Sequence, residues 1–93
     1  MIVGTLRLAL FIGESSSLKD RRRVVKSLKD RIRARFNVSV TDVGDQDLWQ
    51  SAALGVAVVA TDTRFAHEVL SKVAGLVESD PRVDILDRET RVS

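Results

Sequence analysis

Cysteine is absent from this chain of 93 residues, which excludes disulfide bonds, a thiol nucleophile and cysteine metal ligands. A chain without cysteine fits a reducing compartment. The apolar stretch from Leu6 to Ile12 is too short to span a bilayer, is interrupted by Arg7 and lacks a signal-peptide cleavage pattern. We therefore expect a cytoplasmic protein that does not contact a membrane.

Proline and aromatic residues are also scarce. The chain has one proline, three phenylalanines and one tryptophan, yet 44% of its residues are hydrophobic and 30% are charged. This balance is typical of a folded globular protein and excludes a disordered tail. Because a chain of this length can build only one modest core, we expect residues 1–93 to form a single domain.

Alternating hydrophobic residues mark the segments that we expect to form strands. In residues 2–12, apolar residues recur at every second position. Residues 37–43 show the same pattern over a shorter stretch, in which we expect Asp42 to be exposed. Residues 52–60 are apolar on both faces, which predicts a central strand that is covered on both sides. Residues 82–92 mix apolar and charged side chains, which is typical of an edge strand.

Two other segments show helical periodicity. Ser17 is a suitable N-cap for the first helix, and Asp20 lies near the positive end of its dipole. Apolar residues recur on one face as far as Phe36, so we expect the helix to end at about residue 35 or 36. Asp62 can cap a second helix, and Pro81 stops it.

The predicted order β-α-β-β-α-β is that of the ferredoxin-like fold of the α+β class. Two helices would pack on one face of a four-stranded antiparallel sheet and leave the other face open. An exposed apolar patch of this kind usually marks an interface. We therefore expect a homo-oligomer, in the simplest case a homodimer through the open sheet face, with Phe11, Val59 and Trp49 in the interface.

The sequence resembles the YlxP-like family of small bacterial proteins, a domain of unknown function. The resemblance spans nearly the whole chain and rests on SLKDRRRVVKSLKDRIRARFNVSVTDV followed by QDLWQSAALGVAVVATD. It implies a ferredoxin-like fold. Relatives in many bacteria are encoded near translation and ribosome-assembly factors, which implies a role linked to RNA. The family offers no catalytic residues to carry over.

Positive charge is concentrated in the first predicted helix. Nine of the 17 residues from Lys19 to Arg35 are lysine or arginine and two are aspartate, so this segment carries about +7 whereas the whole chain carries +2. Such a run suits a partner rich in negative charge, and an RNA or a ribosomal particle is our first interpretation because lysine and arginine release counterions from phosphates. The candidate nucleic-acid-binding residues are Lys19, Arg22, Arg23, Lys26, Lys29 and Arg33.

Other interpretations of the same helix remain open. Its basic side chains could form a solvated or intersubunit face, or could bind an acidic protein partner in an interaction or regulatory module. A small phosphate-handling enzyme, similar to acylphosphatases, would hold phosphate at Ser15 to Ser17, but the Gly13–Ser17 loop contains no arginine. We expect a non-enzymatic protein with no catalytic residue, no metal site and no cofactor.

The remaining polar and aromatic candidates have simpler interpretations. His67 has no second ligand at metal-binding spacing, and the aspartates at 42, 45 and 47 lack the spacing of a calcium loop. Trp49 could stack on a base, but a tryptophan in a loop more often closes a core edge or anchors a protein interface. The third strand has no aromatic residue, so we expect an RNA site on the first helix and not on the sheet.

Overall fold

The computed structural model describes residues 1–93. The chain forms a four-stranded antiparallel sheet with strand order β2-β3-β1-β4, and both helices pack on one face of it. The predicted ferredoxin-like order and two-layer architecture are confirmed. Neither helix is long and apolar enough to cross a membrane. The elements are β1 (Ile2–Ile12), α1 (Leu18–Arg35), β2 (Ser39–Asp42), β3 (Ser51–Ala60), α2 (Thr63–Glu78) and β4 (Val83–Val92).

Both helices begin at the capping residues that the sequence predicts. The hydroxyl of Ser17 accepts a hydrogen bond from the backbone N–H of Asp20 at 3.1 Å, and the carboxylate of Asp62 accepts one from the N–H of Phe65 at 2.8 Å. These bonds satisfy N–H groups that have no partner within a helix. At its other end α1 stops where Phe36 adopts an extended backbone.

The core lies between the sheet and the two helices, and it determines which side of α1 faces solvent. Alternate residues of β1 point into this layer, as the period of two predicts. Each fully buried side chain of this size contributes about 1.5–3 kcal/mol to stability. The fully buried side chains that pack between the layers include Leu6, Leu8, Leu10, Ile12, Leu28, Ile32, Leu70 and Val73.

The central strand β3 differs from the prediction in its covering. It lies between β2 and β1 as expected, but the helices cover only one of its faces. Val58 is buried on the helix side, whereas Val59 on the outer side is 66% exposed. The sequence indicated two covered faces because small residues such as Ala57 make the outer face apolar without a second layer to cover it.

Candidate nucleic-acid interface

One side of α1 displays a row of cations that we call the basic track: Arg22, Lys26, Lys29 and Arg33. Their spacing of four, three and four residues keeps them on one side of the helix over about 16 Å, at 1.5 Å per residue. Three of them are exposed, and Lys29 is half-buried. Because Leu28 and Ile32 hold the neighbouring face of α1 in the core, the order of the cations along the track is set by the fold.

The basic track lines a groove of about 450 Å³ between α1 and the end of β2. Together with Arg21, the track contributes five cations to the groove, and Asp30 and Asp42 contribute two anions, so the formal charge is 5 − 2 = +3. The groove contains a single hydrophobic residue, Val25. The concave surface beside β2 is therefore strongly cationic, and nine of its ten lining residues are polar or charged.

The chain neutralises only part of the basic track. Lys26 Nζ lies 2.7 Å from a carboxylate oxygen of Asp30, and this hydrogen bond lowers the pKa of Asp30. Both side chains are well exposed, and ion pairs of this kind contribute little. Arg33 donates to the backbone oxygen of Val40 at 2.9 Å. Arg22 and Lys29 have no carboxylate within 4 Å, so they remain available to an anionic ligand.

Two predicted contact residues, Lys19 and Arg23, do not line this groove. Lys19 is exposed in the first turn of α1, and Arg23 lines a smaller depression near Arg82 on another side of the helix. Both are exposed and neither has an acidic partner within 4 Å. The structure thus brings four of the six predicted residues together and places two beside them.

Arg21 is a residue that the sequence analysis missed. It is only 2% exposed, and its Nη1 lies 2.7 Å from a carboxylate oxygen of Asp42. Its Nε donates to the backbone oxygen of Ser51 at 2.8 Å, and its Nη2 donates to that of Asp45 at 3.4 Å. Arg21 therefore fastens α1 to the end of β2 and to both ends of the loop formed by residues 43–50.

The expected exposure of Asp42 was wrong because this carboxylate is the partner of Arg21. A buried charge is tolerated when it is paired and hydrogen-bonded, and Asp42 also accepts a bond from the backbone N–H of Gly44 at 3.1 Å. The available signal was the position of Arg21 on the apolar face, four residues before Val25 and seven before Leu28.

A second buried carboxylate holds the other flank of α1. Asp80 is 2% exposed, and its Oδ2 lies 3.1 Å from Arg31 Nη1 and 2.7 Å from Arg82 Nη2. The hydrogen bonds from Arg82, supported by the charge of Arg31, lower the pKa of Asp80, and the same pairing raises the pKa of Arg82. Arg82 also donates to the hydroxyl of Ser27 at 3.0 Å. Arg31 is thus occupied within the chain.

The hydrogen-bond donors that precede α1 are also occupied. A carboxylate oxygen of Asp20 accepts bonds from the backbone N–H of Ser16 at 3.2 Å and from its hydroxyl at 2.9 Å, and these bonds lower the pKa of Asp20. Ser15 is buried and donates to the backbone oxygen of Ser17 at 3.1 Å. The chain's own carboxylate therefore takes the place where a phosphate would bind.

Phe11 and Trp49 lie together at one end of the sheet, where with Leu48 they form what we call the aromatic cleft. Trp49 is 54% exposed and Phe11 is 38% exposed. Val59 lies near the other end of the same face, opposite Val3 and thus about 26 Å along β1 from Phe11. The cleft has a volume of about 590 Å³ and is also lined by Ser15, Ser16, Gln50 and Ser51.

The three residues predicted for a dimer interface do not form one continuous patch. Between Phe11 and Val59, the middle of the outer face carries the charged Arg7, Glu89 and Arg91 beside small residues of β3. Glu89 and Arg91 form an exposed ion pair at 3.1 Å. An interface that included all three predicted residues would have to cover this polar region as well.

Comparisons with known proteins confirm the predicted resemblance to the YlxP-like family. A family model described as "Protein of unknown function (DUF503)" matches residues 3–90. The chain is 30% identical over 83 residues to the "Uncharacterized protein YlxP" of Bacillus subtilis (strain 168). This alignment covers 89% of this chain and 90% of that protein.

Two solved structures of designed proteins are similar in fold. A de novo designed protein with ferredoxin fold has a TM-score of 0.60 at 17% identity, over 98% of this chain and 86% of that chain. The de novo designed protein Foldit4 has a TM-score of 0.57 at 14% identity, over 100% of this chain and 97% of that chain. At these identities the similarity shows the fold alone.

Proposed function

The chain belongs to the DUF503 family of proteins of unknown function, and we propose that it is a non-enzymatic domain that binds the phosphate backbone of RNA through the basic track. The RNA could be free or part of a ribosomal particle. The groove between α1 and β2 is the observation that carries this proposal, because four ordered cations line it and its formal charge is +3.

The arrangement of the cations suits a linear polyanion. A single small anion can contact only one or two of four side chains that extend over about 16 Å of helix. A phosphate backbone can contact all of them in turn, and each contact releases counterions from the nucleic acid. Asp42 does not oppose this contact, because Arg21 already neutralises it at 2.7 Å.

The composition of the groove favours a phosphate backbone over an acidic protein. Protein interfaces rely on apolar or aromatic anchors that are buried in the centre of the contact. Val25 is the single hydrophobic residue among the ten that line the groove. The other nine residues are polar or charged, and they can offer charge and hydrogen bonds, which are the contacts that a phosphate backbone requires.

A cytoplasmic location and a homodimer through the open sheet face belong to the same proposal. An RNA partner is consistent with the cytoplasmic location that the sequence suggests. Of the residues predicted for this contact, the exposed Val59 lies on that face away from the aromatic cleft and would be an apolar part of a dimer contact that leaves the basic track free. Sedimentation of the purified protein tests the homodimer directly.

The decisive experiment measures RNA binding as a function of salt. The fluorescence anisotropy of a labelled single-stranded RNA should report an affinity that falls on a log–log plot with a slope of about −3, at about −0.7 for each of four neutralised phosphates. In a variant in which Arg22, Lys26, Lys29 and Arg33 are replaced by Gln, we expect this salt-dependent binding to be lost.

A matched control removes the same charge elsewhere on the surface. The replacement of Arg35, Arg64, Lys72 and Arg88 by Gln also lowers the net charge by four but leaves the basic track intact. This control should bind RNA with nearly the wild-type slope. Equal losses in the two variants, or wild-type binding by the track variant, would contradict the proposal. Tighter binding to polyglutamate than to RNA would favour an acidic protein partner instead.

A further inference from the structure

The aromatic cleft lies beside the N-terminal end of α1, where the basic track begins. Ser15 and Ser16 line the cleft and lie just before the helix. The loop of residues 43–50 joins the two sites, because its Gln46 lines the groove while its Trp49 lines the cleft. A strand of RNA that left the track at Arg22 would therefore reach the cleft next.

We propose that the aromatic cleft binds an unpaired base of the same RNA whose phosphates follow the basic track, so that the preferred ligand is single-stranded RNA. This inference rests on the proposed function and adds a second site to it. Bases in an RNA helix are stacked and paired, whereas unpaired bases can turn outward and stack on aromatic side chains.

Hydrogen bonds hold the backbone of the loop that carries Trp49. Arg21 donates to backbone oxygens at both ends of this loop, Asp45 and Ser51. Within the loop, the carboxylate of Asp45 accepts a bond from the backbone N–H of Asp47 at 3.0 Å. A loop whose backbone is already held loses less conformational entropy on binding, so an exposed indole on it is well suited to stacking.

The polar edge of the cleft suits a base. Gln50 lines the cleft beside the aromatic rings, and its side-chain amide can both donate and accept hydrogen bonds. The hydroxyl of Ser16 donates to Asp20, so it can offer the base an acceptor. An unpaired base presents donors and acceptors along its edge and an apolar face to an aromatic ring. The cleft therefore offers partners to both parts of a base.

Charge argues against a second copy of the chain as the occupant of the cleft. Lys19 is exposed only three residues after Ser16, and the whole segment from Lys19 to Arg35 carries about +7. A symmetric dimer through the cleft would bring two such segments close together, and like charges in an interface are unfavourable. The carboxylates of Asp45 and Asp47 lie in the same loop as Trp49, so the cleft suits an uncharged base, whereas the phosphates of the RNA lie on the basic track.

Trp49 is the only tryptophan, so its fluorescence reports on the cleft alone. The probes are a short single-stranded RNA, an abasic ribose-phosphate strand of the same length, and an RNA duplex. We expect the single-stranded RNA to quench the fluorescence in a saturable manner and to bind at least about fivefold more tightly than the abasic strand, as expected for one stacked base. The duplex should bind without the quenching.

Variants of Trp49 separate stacking from phosphate binding. Trp49→Ala should bind the two single strands with equal affinity while keeping the salt slope of the wild type, because the basic track is unchanged. Trp49→Phe should keep most of the preference for the strand with bases, because it keeps an aromatic ring. Leu86→Ala changes an exposed apolar residue of β4 that does not line the cleft, and this matched control should behave as the wild type.

Failure of this inference can be distinguished from failure of the proposed function. One such result is RNA that binds with a steep salt slope but leaves the fluorescence unchanged, and another is a Trp49→Ala change that weakens the binding of both single strands equally. Either result would show that the track binds phosphates but the cleft does not bind a base. If no strand binds in a salt-dependent manner, both proposals fail. A wild-type dimer that Trp49→Ala converts to monomers would show that the cleft is a protein interface.

Discussion

The arginines of α1 that pair with buried carboxylates and the cations of the basic track use the same kind of side chain in opposite ways. Arg21 forms an ion pair with Asp42, and Arg31 forms one with Asp80. Both carboxylates belong to distant parts of the chain and are nearly inaccessible to solvent. On the basic track, only Lys26 has an acidic partner, and that pair is exposed. The comparison shows that an arginine becomes structural when the fold brings a buried carboxylate to it, and otherwise remains available to a partner.

The largest effect should follow from the loss of Arg21. Arg21→Met would leave Asp42 buried without its cation and two backbone oxygens without a donor, which should lower the free energy of unfolding by about 3–5 kcal/mol. Urea denaturation measures the loss. The neighbouring change Arg22→Met should alter this free energy by less than about 0.5 kcal/mol. Similar losses in the two variants would remove the distinction between the arginines that pair with buried carboxylates and the track.

A smaller effect is expected at Asp80. Asp80→Asn keeps the shape but removes the charge that receives bonds from Arg31 and Arg82, so we expect a loss of about 1.5–3 kcal/mol in urea denaturation. Asp30→Asn removes an exposed carboxylate from the same helix and should leave the denaturation midpoint nearly unchanged. A midpoint for Asp80→Asn equal to that of the wild type would contradict the role of this buried carboxylate.

The pH dependence of stability should separate the wild type from Asp80→Asn. Because the folded chain lowers the pKa of Asp80 below its ordinary value, the charged carboxylate stabilises the fold above that value, and this contribution is lost as the pH falls through the folded pKa. Urea midpoints measured from neutral to strongly acidic pH should therefore decline more steeply in the wild type than in Asp80→Asn. Parallel declines would show that Asp80 contributes nothing to acid sensitivity.

The smallest effect concerns the exposed pair on the track. Asp30→Asn should strengthen RNA binding by about twofold at low salt, because it removes a negative charge from the groove and frees Lys26. Glu68→Gln removes a carboxylate from a similar exposed pair with Arg64 on α2 and should leave the affinity unchanged. Anisotropy measures both affinities. Weaker binding by Asp30→Asn would contradict the role of the groove.

Much of the fold could be predicted because local patterns report it directly. β1 and its alternation, the capping of α1 by Ser17 and the end of α2 before Pro81 all depend on residues close together in the sequence. The covering of β3 could not be predicted in the same way. Apolar residues on both faces of a strand show that neither face carries charge. They do not show whether a second layer of structure covers the outer face.

The candidate site was predicted only in part, for a related reason. Helical periodicity places the four residues of the basic track on one side without any knowledge of the fold. The groove beside β2 and the position of Gln46 in it depend on packing between elements. Sequence spacing also could not show that Phe11 and Trp49 meet at one end of the sheet while Val59 lies near the other.

The sequence by itself determined the order of helices and strands and the concentration of cations on α1, because hydrophobic periodicity and charge are local properties of the chain. Only the tertiary structure decided which cations are free, because Asp42 and Asp80 reach Arg21 and Arg31 across 21 and 49 residues of sequence. It also decided that the aromatic cleft opens beside the basic track. Contacts between distant segments depend on how the layers pack, which a local pattern does not encode.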